Sequence, residues 1–261
     1  IPRTLALLMY GDLDVSLVDE LPPGRESVDT FLVSEALRPR INAFIRKQVT
    51  EGHQCYVVCP AVEENEELGV KAAEVWAETL QNTVFPDLRI ALLHGQMKGK
   101  EKEAVMAEFA AGEIQVLVST TVIEVGINVP NASLMIVENA ERFGLSQLHQ
   151  LRGRVGRGTR KSYCVLVSDA KGENAERRLR LMTKTNDGFV IADEDLRMRG
   201  PGDFLGTDGA RQSGEGRYFR MAAMCNDPRL FEDATHAAET LLAADPQLAG
   251  ERLAPLRARL D

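Results

Sequence analysis

No stretch of this sequence holds about 18 consecutive apolar residues, the length an α-helix needs to cross a bilayer, so no segment is expected to span a membrane. No signal peptide opens it, and a first residue of Ile1 reads as a start within a longer protein. Cysteine is sparse: Cys55, Cys59, Cys164 and Cys225, with one close pair flanking the run CYVVC. A structural zinc site needs a second close-spaced pair of ligands, so no metal site is expected and the cysteines read as reduced, buried side chains. No internal repeat is evident. The most consequential absence is the phosphate-cradling loop G-x-x-x-x-G-K-[ST], which occurs nowhere. HGQMKGKEK (His94 to Lys102) offers glycines and lysines, but its spacing fails and no Ser or Thr follows the lysine. FVIADED (Phe189 to Asp195) imitates an apolar strand ending in acids; without a phosphate loop to serve, those acids read as a helix-start cap and a surface face. Alone, the chain is not expected to bind and hydrolyse a nucleoside triphosphate in the usual way.

A formal net charge of −8 over 261 residues argues against wholesale coating by nucleic acid. The charge is uneven, however: between Arg152 and Lys161 lie five basic residues and no acidic one. The acidic mean therefore does not exclude a local basic track.

LPPGR (Leu21 to Arg25) breaks the chain as a linker would, assigning residues 1–26 to a connection. Beyond it, apolar runs alternate with helical patterns. The strand candidates are VDTFLV (from Val28), CYVVC (from Cys55), RIALLH (from Arg89), QVLVST (from Gln115), LMIVE (from Leu134) and YCVLVS (from Tyr163). Helices are expected at roughly 36–51, 66–82, 98–111 and 146–155. Continuous apolar runs fit strands covered on both faces. The strand–helix–strand rhythm predicts right-handed crossovers and a parallel, three-layer α/β sheet, whose ligands sit beyond the carboxyl ends of the strands. After about residue 170 the character changes, and a domain boundary is expected there. KGENAERRLRLMTKT (Lys171 to Thr185) is charged and helical, a Gly-rich charged stretch follows, and amphipathic helices are expected from Tyr218 onward. This gives a main domain at 27–170, a smaller helical element at 171–217 and a tail at 218–261.

The segment STTVIEVGINVPNASLMIVENAERFGLSQLHQLRGRVGRG (Ser119 to Gly158) carries the most information. QLRGRVGR (Gln150 to Arg157) places Arg154 and Arg157 three apart on a helix, projecting on one face, with Gly153 and Gly156 allowing another domain's backbone close approach. Planar, always-charged guanidinium groups suit a transferring phosphoryl group. Upstream, Thr120 and Thr121 follow a strand, where hydroxyls and helix-start amides can meet a nucleic-acid phosphate or simply cap a helix. His94 and Gly95 end another strand, and Lys98, Lys100 and Lys102 crowd the next helix start, against the helix dipole. Phosphate contact and a solvated charged helix both account for that crowding.

These segments resemble, in order, the motifs of superfamily 2 helicases, and in particular those of RecG-type enzymes. QLRGRVGR resembles motif VI and TTVIEVGINVP (Thr120 to Pro130) motif V. VVCPAVEE (Val57 to Glu64) with HGQMKGKEKEAVMAEFAAGE (His94 to Glu113) resembles the motif IV region, and IPRT (Ile1 to Thr4) the tail of motif III. DGFVIADEDLRMRGPGDFLGT (Asp187 to Thr207) resembles the translocation motif shared by RecG and the transcription-repair coupling factor; the linker and the run ending in GRVGRG favour RecG. The resemblance covers about residues 1–220.

It implies a RecA-like second motor domain followed by a translocation hairpin, from an ATP-dependent helicase acting on forks and Holliday junctions. On that basis Arg154, Arg157 and Gln150 are the expected catalytic residues, and Gly126 and Asn128 join the two arginines in nucleotide binding. Many relatives have Asp where this chain has Asn128, which lacks the charge. Thr120, Thr121, His94 and Lys98 are implied DNA contacts, and Arg197, Arg199, Arg211 and Gln212 translocation residues. ATP with Mg²⁺ would bind between this domain and a P-loop motor domain of the same parent chain, which would also carry a wedge domain. The expected partners are duplex and branched DNA, and the expected location the bacterial cytoplasm, at the nucleoid. The alternatives are the equivalent region of the coupling factor and a non-catalytic DNA-binding scaffold.

Overall fold

Six apolar runs form one sheet in which every observed pairing is parallel: β1 (Val28–Val33), β2 (Gln54–Val58), β3 (Ile90–Leu93), β4 (Val116–Ser119), β5 (Ala132–Val137) and β6 (Ser162–Val167). Their spatial order is β1-β6-β5-β2-β4-β3, leaving β1 and β3 at the edges. The computed structural model describes residues 26–60, 66–120, 129–158, 160–199, 228–253 and 256–257. In the interior strands β2, β4 and β5 every residue is buried, as strands covered on both faces require. Edge strand β1 is only partly covered, and Phe31 is exposed.

Helices connect the strands: α1 (Arg38–Thr50), α2 (Glu66–Thr79), α3 (Gly99–Ala110) and α4 (Leu145–Arg152). Because side chains alternate across a strand, β2 divides its residues between two cores. Cys55 and Val57 join Ile41 and Ile45 of α1 and Ala73 of α2 in one layer. Tyr56 turns to the other, where its ring meets Phe109 of α3 at 4.9 Å. Each large apolar side chain fully buried here contributes about 1.5–3 kcal/mol, which makes the interior strands the main source of stability.

Two elements depart from expectation. α2 passes into a π-helical turn at Leu80–Val84, which overlaps the end of the span read as plain helix and runs past it. α4 ends at Arg152, not near 155, because Gly153 caps it and Gly156 adopts φ +73°. Arg154 and Arg157 therefore do not share a helix face; they lie on the turn that follows.

Two compact units are distinguished, Asp19–Ala192 and a second that includes Asp193–Asp261. In the first, α5 (Glu173–Lys184) packs on β1 and α4 through buried Leu179 and Met182, so a boundary at 170 does not part it from the sheet. α6 (Gly188–Arg199) begins in this unit, and the strand-like FVIADED is helical throughout. The cap is Asp187, whose Oδ1 accepts from the N–H of Phe189 at 2.8 Å; Asp195, expected on a surface face, is 2% exposed. In the second unit α7 (Pro228–Ala244) is the helix expected in the tail. After it, Asp245 accepts from the Gly250 N–H at 2.8 Å, and such backbone bonds hold its carboxyl below the usual range.

Candidate functional site

α4 is short because its sequence permits little more. The Gly144 N–H donates to the side chain of Gln147 at 2.9 Å, and Leu145, Leu148 and Leu151 are buried. Position 152 falls on the same inward stripe, seven residues after Leu145 and four after Leu148. An arginine there must bring its own partners, since burying an unpaired charge costs several kcal/mol. Arg152 is 3% exposed, and its Nη1 donates to the main-chain oxygens of Met182 and Thr185, both at 2.9 Å, and more weakly to Thr30 Oγ1 at 3.4 Å. Those carbonyls close the C-terminal end of α5, where cations are favoured. Burial pulls the Arg152 pKa down, and the carbonyl bonds hold the guanidinium in place.

Beyond the helix, the Arg154 N–H donates to Leu151 O, and Arg157 Nε to Gly153 O at 3.1 Å. Arg157 is exposed and Arg154 half-buried, and among the described residues neither forms an ion pair. Both project positive potential onto Tyr56; burial nevertheless pushes that hydroxyl up to about 12, with Arg157 and Arg154 opposing. Gly156 is fixed by its own domain: a Cβ there would stand 2.7 Å from Val28 Cγ2 and 3.8 Å from Ser162 Cβ. The glycine thus serves close packing on the starts of β1 and β6, not the approach of another domain. A Cβ on Gly158 would meet Pro130 O at 2.9 Å, again just before a strand start. The arginine segment consequently sits at the amino ends of the strands.

The candidate DNA contacts lie at the opposite ends. Leu93 of β3 pairs with Ser119 of β4, and the Thr120 N–H donates to Leu93 O at 3.2 Å, which brings His94 and Thr120 beside one another past the carboxyl ends. Thr120 is 4% exposed, while Lys98 is exposed and caps α3. Among the described residues, His94 Nδ1 and Ser119 Oγ are buried without a hydrogen-bond partner. The sheet separates these residues from Arg154 and Arg157, and Gln150, on the last turn of α4, belongs with the arginines.

Arg197 lies exposed on α6, bonded through Nη1 to Glu194 at 3.0 Å. Of Arg199 only the helical backbone is described, and Thr121, Gly126, Asn128, Arg211 and Gln212 lie outside the described residues. A further tie joins the arginine segment to the helices beyond the sheet: a Cβ on Gly188 would stand 2.9 Å from His149 Cε1, so α6 starts directly against α4. Arg178 of α5 also donates to Glu141 O at 2.9 Å. Sequence reading passed over Arg152, His149 and Gly188. The signal available was the stripe Leu145, Leu148, Arg152, an arginine in a buried register.

Comparison with known proteins agrees with this architecture. The family described as "Helicase conserved C-terminal domain" matches residues 37–159, and "ATP-dependent DNA helicase RecG, domain 3, C-terminal" matches residues 185–260. The chain is 51% identical over 248 residues to the ATP-dependent DNA helicase RecG of Synechocystis, covering 95% of this chain and 29% of that protein. Against RecG of Escherichia coli K12 it is 49% identical over 251 residues, covering 95% of this chain and 36% of that one. It thus spans about a third of the length of these relatives. A solved structure of RecG bound to a three-way DNA junction matches with a TM-score of 0.66 and 50% identity, covering 78% of this chain and 26% of the other. The parallel sheet, the arginine turn beyond α4 and these matches together make the chain a member of the RecG helicase family, carrying its helicase C-terminal domain and domain 3.

Proposed function

We propose that this chain is the second motor half and translocation element of an ATP-dependent helicase that moves on duplex DNA and remodels branched DNA. In this reading it works in the bacterial cytoplasm, at stalled forks and Holliday junctions. A relative of 50% identity seen bound to a three-way junction supports that class of substrate. The observation that carries the reading is the placement of one short segment. Arg154 and Arg157 stand on a turn, without carboxylate partners among the described residues, while Arg152 two residues earlier is bonded into the end of α5.

The residues present fit a polyphosphate, since unpaired guanidinium groups favour an anion that has left water. Arg154 and Arg157 would hold the γ-phosphoryl group of ATP, bound with Mg²⁺ against a P-loop motor domain of the same protein. ATP supplies the phosphoryl group whose transfer to water drives the cycle. To reach it, Arg157 exchanges its bond to Gly153 O for the phosphate. Movement of that turn is passed through Arg152 to the α5 carbonyls and through His149 to Gly188 at the start of α6. Arg197 and Arg199 on α6, with Arg211 and Gln212 beyond it, would then act on the duplex. His94, Lys98, Thr120 and Thr121, at the other ends of the strands, would hold the DNA backbone. Gln150, on the last turn of α4, would act beside the arginines, and Gly126 and Asn128 would line the nucleotide.

The test is ATP hydrolysis by the full-length protein stimulated by forked DNA, with and without Arg157→Ala. The expected result is a loss of about 10³-fold with DNA binding retained, the scale seen when an arginine finger is removed. An unchanged rate would remove Arg157 from the site. No hydrolysis by the unaltered full-length protein would favour a DNA-binding scaffold.

A further inference from the structure

Between β3 and α3 the chain turns within five residues, and one side chain organises the turn from inside. Lys102 Nζ donates to the main-chain oxygen of Gly95 at 2.6 Å. Lys102 stands in the first turn of α3, where a cation opposes the helix dipole and gains nothing from its position. It is half-buried, whereas Lys98 and Lys100 are exposed. A charge-assisted bond to a loop carbonyl accounts for a lysine in that place, and it leaves this ammonium turned inward, away from any ligand on the outer face. Two more bonds complete the turn: the Met97 N–H donates to His94 O at 3.3 Å and the Lys98 N–H to Glu101 Oε2 at 3.1 Å.

The Gly95 carbonyl matters for what it does to the peptide it belongs to. A trans peptide sets its C=O and the following N–H on opposite sides. Drawing Gly95 O toward Lys102 therefore turns the Gln96 N–H the other way, and that N–H has no backbone acceptor among the described residues. Next to it, His94 Nδ1 is buried without a partner among the described residues, leaving Nε2 as the nitrogen through which this ring can meet a ligand. Lys98 is exposed on the same turn. A main-chain donor, an imidazole and an ammonium thus share one short loop at the carboxyl ends of the strands.

We infer that Lys102 is a positioning residue: it holds the 94–98 loop so that His94, the Gln96 N–H and Lys98 meet one DNA phosphate, and it does not touch the DNA itself. This rests on the reading of that loop as a DNA contact. Of the lysines that crowd this helix start, Lys98 faces the ligand and Lys102 serves the loop.

The experiment measures binding of a forked duplex to the full-length protein across a range of salt concentrations, for Lys98→Ala, Lys102→Met, Lys102→Arg and the Lys98→Ala/Lys102→Met pair. Unfolding temperatures are followed alongside, so that only folded variants are compared. Lys98→Ala should weaken binding about threefold to tenfold and reduce the salt slope by about 0.9, the value for one lost phosphate contact. Lys102→Met should weaken binding to a similar extent, Lys102→Arg should restore most of it, and the double variant should bind no more weakly than the weaker single one. Additive losses would make Lys102 an independent DNA contact and overturn the inference while leaving the loop on the DNA. Full binding by Lys102→Met beside a weakened Lys98→Ala would overturn it in the same way. If neither single variant weakens binding, both the inference and the DNA reading of this loop fall. Should Lys102→Met not fold, Lys102→Arg carries the comparison: wild-type binding supports the inference and a loss as large as that of Lys98→Ala overturns it.

Discussion

The guanidinium of Arg152 and the carbonyl of Thr185 are joined at 2.9 Å, across 33 residues of sequence, with Met182 O held by the same nitrogen. The bond fastens the arginine segment to the far end of α5, the helix that leads into α6. Arg152→Met keeps the apolar stem but leaves the buried Met182 carbonyl and the partly buried Thr185 carbonyl without their donor. At about 1–3 kcal/mol for each such group, and with partial relaxation, the expected loss is about 2–4 kcal/mol in urea unfolding. Arg152→Lys should recover part of this loss, since both bonds come from one nitrogen and an ammonium has donors for both, but on a side chain of shorter reach. A loss below about 0.5 kcal/mol would mean that these bonds contribute nothing net.

Gly156 and Gly153 make a contrast within one turn. Gly156→Ala requires a left-handed backbone for a residue with a Cβ, about 1–2 kcal/mol, and adds the 2.7 Å approach to Val28. Its unfolding free energy should fall by about 2–3 kcal/mol. Gly153→Ala has αR backbone and meets only main-chain oxygens at 3.4 Å, so its thermal midpoint should stay within about 2 °C. Equal effects at the two positions would contradict the geometry of this turn.

Arg38 sets the acid limit of the sheet. Its guanidinium bonds to both Glu138 oxygens, at 2.7 and 2.6 Å, and to Glu35, and it lies 4.9 Å over the Trp76 ring. Burial lowers the Arg38 pKa, but the bonds from Glu35 and Glu138 outweigh it and the net shift is upward. The same hydrogen bond holds Glu35 below the usual carboxylate range, against burial. A lowered carboxylate stabilises the fold fully above its unfolded pKa, about 4.3, and loses that contribution as pH falls through the folded value. The stability gap between the wild type and Arg38→Met should therefore be widest near neutrality and narrow below about pH 4. Urea midpoints at pH 7 and pH 3.5 measure it, and a gap that does not change with pH would count against the linkage.

The buried thiols should be inert. Burial pushes Cys59 and Cys164 up to about 12, with Glu138 adding to the first and Arg152 opposing in the second, and Cys55 higher still. A thiol-specific reagent at pH 8 should leave these three unmodified in the folded protein and label all three in urea. Rapid native labelling of Cys55 would show that β2 opens.

Much of this was legible in the sequence, for identifiable reasons. Strands β2, β4 and β5 are buried on both faces, so they announce themselves as unbroken apolar runs, and the helices between them fell within about three residues of expectation. The arginine motif and the strand-end Thr120 and His94 were found because their residue types are chemically specific. What escaped depends on contacts distant in sequence. Arg152 read as one more charge in a basic track, because only the end of α5, some thirty residues later, makes it an interior residue. α5 read as a separate element because its charges are plain while its two buried anchors, Leu179 and Met182, are few. Gly156 suggested approach by another domain, and the neighbour that requires it is Val28, at the start of β1.

The pairing of β1 with β6 has a consequence for how the protein is made. Val28 pairs with Ser162, so among the described residues β1 meets its hydrogen-bonded neighbour only after 134 further residues have been synthesised. At about 5–20 residues per second that wait is roughly 7–27 s, long compared with the collapse of a nascent chain. During it, VDTFLV leaves the ribosome as an unpaired apolar strand with few charges, the kind of segment that associates between chains. Translation speed and chaperone supply, more than equilibrium stability, should therefore set the yield of this domain in cells.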